Sequence, residues 1–184
     1  MDRACALAEE IIEEKNPDIR DRRKVAEAVG VGSIIFNDLK NYRLKDITFN
    51  WDEVLNFNGE TGVYLQYTHA RISSLLKKFS DRYGDITLNS DLEYTDNDRT
   101  IYAVVLTIND FERAVLRAAQ EFEPSIIARY LLELAARFNA FYTAHRVITD
   151  NKALSFSRAL VVLAVKKVLK KGLELLGIDA VEQM

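Results

Sequence analysis

The sequence has few of the residues on which several common folds and sites depend. It contains one cysteine, two histidines, two prolines and seven glycines among 184 residues. Because Cys5 has no second cysteine to pair with, an internal disulfide and a cysteine-based zinc site are both excluded. His69 and His145 lie far apart in the sequence, so we expect no metal site. The shortage of proline and glycine argues against a β-sandwich or barrel, whose many tight turns need these residues.

Long apolar runs are also missing. No run approaches the roughly 18 residues of a membrane-spanning helix, and no apolar stretch follows a basic start as in a signal peptide. We therefore expect a cytoplasmic protein without membrane contact. The chain is 48% hydrophobic and 29% charged, a composition typical of a folded globular protein.

Hydrophobic residues recur mostly with the 3.6-residue period of helices, which predicts an all-α protein. The stretch 99–108 has enough Ile, Val and Tyr for a strand, but its helical neighbours favour a short helix. Gly177 suits a left-handed cap at the end of the last helix. The predicted helices cover residues 2–15, 20–40, 64–80, 99–108, 110–122, 124–148 and 153–176, with a connector over 41–63 and a polar loop over 84–98.

Charge is distributed unevenly along the chain. The net charge is -3 overall, but residues 1–127 carry -7 and residues 128–184 carry +4. Four lysines of the basic portion lie close together: Lys166, Lys167, Lys170 and Lys171. A basic portion on an acidic chain suggests a surface for an anionic partner. The alternative is that these lysines only solvate one face of a helix.

Two predicted helix faces combine aromatic and basic side chains at helical spacing. The first face consists of Tyr67, Arg71, Ser74 and Lys78. The second face consists of Asn139, Tyr142 and Arg146. An aromatic ring can stack on a base while a guanidinium meets a phosphate, so this pattern suits single-stranded nucleic acid. The alternative is an ordinary helix surface with a local cation–π pair.

Few residues suggest catalysis. Gly30-Val31-Gly32 lacks the third glycine and the preceding strand of a phosphate-binding loop. His69 could act as a general base, but a lone helical histidine is more often a core or capping residue, and we identify no partner residues for it. We therefore expect no catalytic residue, no metal and no cofactor in this chain.

Longer stretches of the sequence carry a more specific signal. They include WDEVLNF at 51–57 and GVYLQYTHARI at 62–72. Further stretches lie at 25–32, 36–39, 123–124, 130–135, 138–142, 172–178 and 181–184. Together, in this order and spacing, they resemble the C-terminal part of arginyl-tRNA synthetases, which are class I enzymes. The resemblance covers nearly the whole chain.

This resemblance implies a helical bundle of the class I synthetase anticodon-binding type over residues 61–184. Residues 1–60 would be the helical connection that follows the catalytic domain. The implied function is recognition of the anticodon stem-loop of arginine tRNA, for arginylation by the parent enzyme. The alternative is a free-standing helical protein-interaction module derived from a synthetase, which the negative charge of residues 1–127 favours.

The resemblance also implies a set of tRNA-binding residues. The positions that match family contacts are Tyr67, Arg71, Tyr142 and Met184, together with Arg146, where some relatives place an aromatic residue. A second group of candidates consists of Lys78, Asn139, Lys166 and Lys170. His69 and Asn139 belong to the matching motifs, and we expect both to act as structural supports.

The signatures of the family's catalytic domain, His-Ile-Gly-His-like and Lys-Met-Ser-Lys-like, do not occur in the sequence. We therefore expect that the parent enzyme is an ATP-dependent arginine–tRNA ligase, and that this chain alone neither binds ATP nor transfers arginine. The expected partner is arginine-accepting tRNA, and the expected state is a monomer.

Overall fold

A computed structural model describes residues 1–86 and 98–184. Within these two ranges the chain forms helices and no strand, which confirms the all-α prediction. The helices are α1 (Asp2–Lys15), α2 (Arg22–Leu39), α3 (Trp51–Val54), α4 (Gly62–Tyr83), α5 (Arg99–Asn109), α6 (Phe111–Glu121), α7 (Ser125–Ala144) and α8 (Lys152–Leu175). Each of them is too short or too polar to span a lipid bilayer.

The ends of several helices follow from local chemistry. Helix α5 confirms the helical interpretation of 99–108, and the carboxylate of Asp98 caps it by accepting a hydrogen bond from the Thr100 amide at 2.7 Å. The predicted connector contains the short helix α3, which begins where the Asn50 side chain accepts from the Asp52 amide. The predicted polar loop over 84–98 lies mainly outside the described residues.

Helix α7 is shorter than predicted. It ends at Ala144 rather than at residue 148, because His145 adopts an extended backbone conformation with φ -132° and ψ 136°. The His145 Nε2 lies 3.1 Å from the Thr100 Oγ1 at the start of α5. This contact between distant parts of the sequence holds His145 out of the helix, and the residues after it leave the helix axis.

Most of the buried apolar residues in the described ranges belong to two hydrophobic clusters. The larger cluster lies between α4, α5, α7 and α8 and includes Leu65 and Phe138. The smaller cluster joins α1 and α2 to the other side of α4 and includes Ile12, Val29 and Val63. Helix α4 contributes to both clusters, as does α2 through Phe36 and Val29, so both helices connect the two halves of the fold.

Helices α1 and α2 approach each other closely at Gly30. A Cβ atom at this position would lie 2.6 Å from the Cys5 backbone nitrogen and 2.7 Å from the Ala4 carbonyl carbon. These are backbone atoms of a helix, so they cannot move aside as a flexible side chain could. The glycine hydrogen is therefore what permits this helix contact.

We expect Gly30→Ala to lower the free energy of unfolding by about 1–2 kcal/mol, because the overpacking penalty exceeds the gain in helix propensity. Urea denaturation measures this change. Gly59→Ala is the matched control, since the nearest atom to its new Cβ would be 3.5 Å away. A Gly30→Ala protein as stable as the Gly59→Ala protein would contradict the close contact.

Candidate nucleic-acid interface

The two helix faces predicted to combine aromatic and basic side chains contact each other through Arg71 and Tyr142. Arg71 lies on the exposed side of α4, and its Cζ is 4.2 Å from the centre of the Tyr142 ring on α7. The Tyr142 ring also packs against the buried Phe138, with 5.9 Å between the ring centres. The guanidinium therefore covers a ring that the core already holds in place, which fixes the planar cation at the surface.

Tyr67 lies one helical turn before Arg71 on the same side of α4. The residue is 39% exposed, and its ring meets Phe57 of the connector edge to face, with 5.7 Å between the ring centres. The contact with Phe57 restricts the ring, while the exposed part stays open to a partner. An aromatic ring and a guanidinium are thus presented side by side on one helix.

Asn139 lies between α4 and α7 rather than on an open face. Its Nδ2 donates a hydrogen bond to the Tyr64 hydroxyl at 2.8 Å. Its Oδ1 is buried and has no hydrogen-bond partner within the described ranges. Sequence analysis missed Tyr64, although its position three residues before Tyr67 places it next to Tyr67 on the helix surface.

The placement of Arg146 on the same helix face as Asn139 and Tyr142 is wrong. Arg146 follows the end of α7, because the extended His145 turns the chain away from the helix axis. The side chain is exposed, and the backbone carbonyl accepts a hydrogen bond from the Arg158 Nη1 at 2.7 Å. The backbone of Arg146 therefore lies beyond the end of the helix.

Met184 lies beside the later part of α4. Its side chain is half-buried against the smaller hydrophobic cluster, and its carbonyl accepts from the Asn16 Nδ2 at 3.4 Å. Together with Ser74 and Lys78 it lines a groove of about 550 Å³. The exposed side of α4 thus continues from Tyr67 to this groove.

Lys166 and Lys170 lie on α8, one turn apart. The Lys166 Nζ donates to the Glu182 Oε2 at 2.6 Å, so its charge is engaged within the protein. Burial alone would raise the pKa of Glu182, but hydrogen bonds from Lys166 and Ser73 outweigh this effect and lower it. Lys170 is exposed.

The candidate base His69 is completely buried in α4. Its Nδ1 lies 2.8 Å from the carbonyl oxygen of Val181, and burial lowers its pKa. A buried imidazole that is hydrogen-bonded to the backbone cannot reach a substrate. This supports the prediction that His69 acts as a structural support. Among the described residues, no group of three or more His, Cys, Asp or Glu side chains could hold a metal ion.

Comparisons with known proteins agree over the whole chain. Residues 65–184 match the family described as the DALR anticodon binding domain, and residues 1–51 match the catalytic domain of class I (R) tRNA synthetases. An arginine–tRNA ligase of Alkaliphilus metalliredigens is 46% identical over 175 residues, which are 95% of this chain and 30% of the ligase. The arginine–tRNA ligase of Enterococcus faecalis is 45% identical over the entire chain and 32% of its own length.

Two solved structures have the same fold. The arginyl-tRNA synthetase of Thermus thermophilus superposes with a TM-score of 0.90 at 38% identity, over 100% of this chain and 31% of that one. The arginyl-tRNA synthetase of Plasmodium falciparum superposes with a TM-score of 0.82 at 27% identity, over 100% of this chain and 32% of that one. The chain spans about a third of the length of these relatives.

Proposed function

The chain belongs to the family of DALR anticodon-binding domains and corresponds to the C-terminal portion of arginyl-tRNA synthetases, and from this premise we propose that it binds the anticodon stem-loop of arginine tRNA. The observation that carries the proposal is the contact of Arg71 with Tyr142 beside the exposed Tyr67. The contact joins α4 and α7 into one surface on which unpaired bases can stack.

Each candidate residue has a distinct part in this proposal. Tyr67 stacks on a base through its exposed ring, and Arg71 stacks or donates to a phosphate through its planar guanidinium. Lys78 and Lys170 attract the phosphate backbone, and Met184 supplies an apolar contact at the end of the groove. Three other residues support these contacts from within the protein. Asn139 links α7 to α4 through its hydrogen bond with Tyr64, and the Tyr142 ring packs against the Arg71 guanidinium. Lys166 forms an ion pair with Glu182.

Arg146 has a weaker place in the proposed interface. Its position beyond α7 separates it from the face of Asn139 and Tyr142, so it would reach only the outer phosphates of the stem-loop. In this proposal the charge of Arg146 increases the affinity for tRNA but does not contribute to base recognition.

The proposal assigns no catalytic step to this chain. Residues 1–51 match only a part of the catalytic domain, so arginine activation with ATP and transfer to tRNA would take place in the rest of that domain in a longer protein, and residues 61–184 would supply anticodon binding. The boundary between residues 60 and 61 falls in the gap between the two matched ranges, which supports this division. We further propose that the module acts as a monomer in the cytoplasm.

A helical protein-interaction module is the second candidate function. Four large hydrophobic side chains of the segment between α2 and α3 are exposed, and Leu44 is the most exposed of them at 77%. The other three are Tyr42, Ile47 and Phe49. Exposed apolar groups in one segment are typical of a surface that another protein covers.

A salt series separates the two functions. We expect the chain to bind arginine tRNA with micromolar or weaker affinity that falls with salt, because an isolated module makes few phosphate contacts. The same tRNA with a changed anticodon should bind more weakly at every salt concentration, because base contacts provide the specificity. Equal affinity for both tRNAs, abolished by moderate salt, would contradict anticodon recognition and favour the interaction module.

A further inference from the structure

The last seven residues follow a defined path after α8. The N–H of Gly177 donates to the Glu174 carbonyl and that of Ile178 to the Leu173 carbonyl, and the φ of Gly177 is +73°. These are the two hydrogen bonds of a Schellman motif, and they turn the chain back towards α4. We refer to residues 178–184 as the C-terminal tail.

Two buried side chains of α4 hold the backbone of this tail. The Gln66 Nε2 donates to the Asp179 carbonyl at 2.8 Å and to the Ala28 carbonyl at 3.0 Å. The His69 Nδ1 donates to the Val181 carbonyl at 2.8 Å. Both side chains are completely buried, so water does not compete for these hydrogen bonds.

The contact with Val181 determines the protonation of His69. A carbonyl oxygen only accepts, so Nδ1 carries the proton and Nε2 is left as the acceptor. The Nε2 atom is buried and has no hydrogen-bond partner in the described part of the chain. Burial and, to a smaller extent, the charges of Lys166 and Lys170 oppose a second proton on this ring, while the hydrogen bond to Val181 and the charge of Glu182 favour one, and the net effect is a lowered pKa. The neutral ring is therefore the form that holds the tail.

The two anchors and the proposed tRNA contacts lie on neighbouring stripes of one helix. Gln66 and His69 belong to the buried stripe, while Tyr67, Arg71 and Lys78 belong to the exposed one. Since α4 is rigid, hydrogen bonds from its buried stripe to the tail fix the position of the tail relative to the exposed stripe. Terminal residues without such bonds are usually poorly ordered.

We infer that His69 and Gln66 are positioning residues that fix the C-terminal tail in the free protein, so that Met184 is already beside Lys78 when tRNA arrives. The inference rests on the proposed function. A tail ordered before binding does not have to lose its conformational freedom on binding, which increases affinity.

Two substitutions of His69 test the anchor directly. His69→Leu removes the donor to Val181, whereas His69→Asn places an amide N–H near the position of Nδ1. We expect carboxypeptidase to release Met184 from the His69→Leu chain about ten times faster than from the unchanged chain, because loss of the anchor opens the tail locally. The His69→Asn chain should stay close to the unchanged rate. His145→Leu, which alters the other histidine away from the tail, is the control.

Affinity for arginine tRNA supplies the second readout. His69→Leu should weaken binding by a factor of about five to ten, as should removal of residues 182–184. The two changes together should be no worse than the truncation alone, because both act through the same tail. If His69→Leu does not fold, Gln66→Met removes the donor to Asp179 and serves in its place.

The outcomes distinguish the inference from the function on which it rests. An unchanged release rate in His69→Leu, or a rate equally raised in His69→Asn, overturns the anchoring role. Faster release with unchanged tRNA affinity overturns the link to binding, while a loss of affinity in Arg71→Ala would still support the proposed function. If neither Arg71 nor the tail affects affinity, the proposed function fails together with the inference.

Discussion

Replacing Arg71 with alanine should weaken the binding of arginine tRNA by about 1–3 kcal/mol, which is a factor of about 5 to 150 in affinity. The guanidinium is held over Tyr142 at 4.2 Å, so the free protein already presents it in one orientation. Removing it eliminates a charge and a planar surface for stacking at the centre of the proposed interface. Fluorescence anisotropy at fixed salt measures the change.

Two further variants identify which property of Arg71 matters. Arg71→Lys keeps the charge and loses the plane, so it should restore the electrostatic part of the affinity but not the stacking part. Arg117→Ala is the matched control, because this arginine is exposed on α6 and pairs with Glu121 at 2.7 Å. Equal losses for Arg71→Ala and Arg117→Ala would show that binding depends on total charge and would contradict the assigned site.

Replacing Phe138 with alanine should lower the free energy of unfolding by about 3–5 kcal/mol. Phe138 is completely buried in α7, and its ring packs against Phe141 at 6.3 Å and Tyr142 at 5.9 Å. The substitution removes these contacts and leaves a cavity that the surrounding helices fill only in part. Denaturation by urea, followed by circular dichroism, measures the loss.

Phe122→Ala is the control for this experiment. Phe122 is 81% exposed, so its ring contributes little burial. Both phenylalanine and alanine adopt its positive φ of 51° at a similar energetic cost, and the backbone effect cancels. We expect a change within about 0.5 kcal/mol. Similar losses at positions 122 and 138 would contradict the described core.

Periodicity predicted most of the fold because helices repeat their apolar pattern locally. The helical choice for 99–108 was correct, since the described ranges 1–86 and 98–184 contain no strand with which this ten-residue segment could pair. Arg146 was placed wrongly because the end of its helix is not determined by the local sequence. The end of α7 depends on the contact of His145 with Thr100, which is 45 residues away in the sequence and invisible to a local pattern.

In the candidate site, too, the sequence predicted features that depend on one helix and missed features that depend on contacts between helices. Helical spacing correctly grouped Tyr67 with Arg71, because both lie on α4. The sequence could not show that Arg71 would cover Tyr142, since that contact depends on how α4 packs against α7. The left-handed cap at Gly177 was also predicted correctly. The path of the tail beyond it depends on His69, whose partner is 112 residues away.

The double role of α4 in packing has a consequence for distant mutations. Residues Leu65 and Val63 of this helix belong to different hydrophobic clusters, so neither cluster can open without disturbing the helix. The two halves of the molecule are therefore thermodynamically coupled through α4. We expect a destabilising change in α1, which carries none of the proposed tRNA contacts itself, to lower the population of the ordered helix that carries Tyr67 and Arg71, and so to weaken the proposed RNA binding.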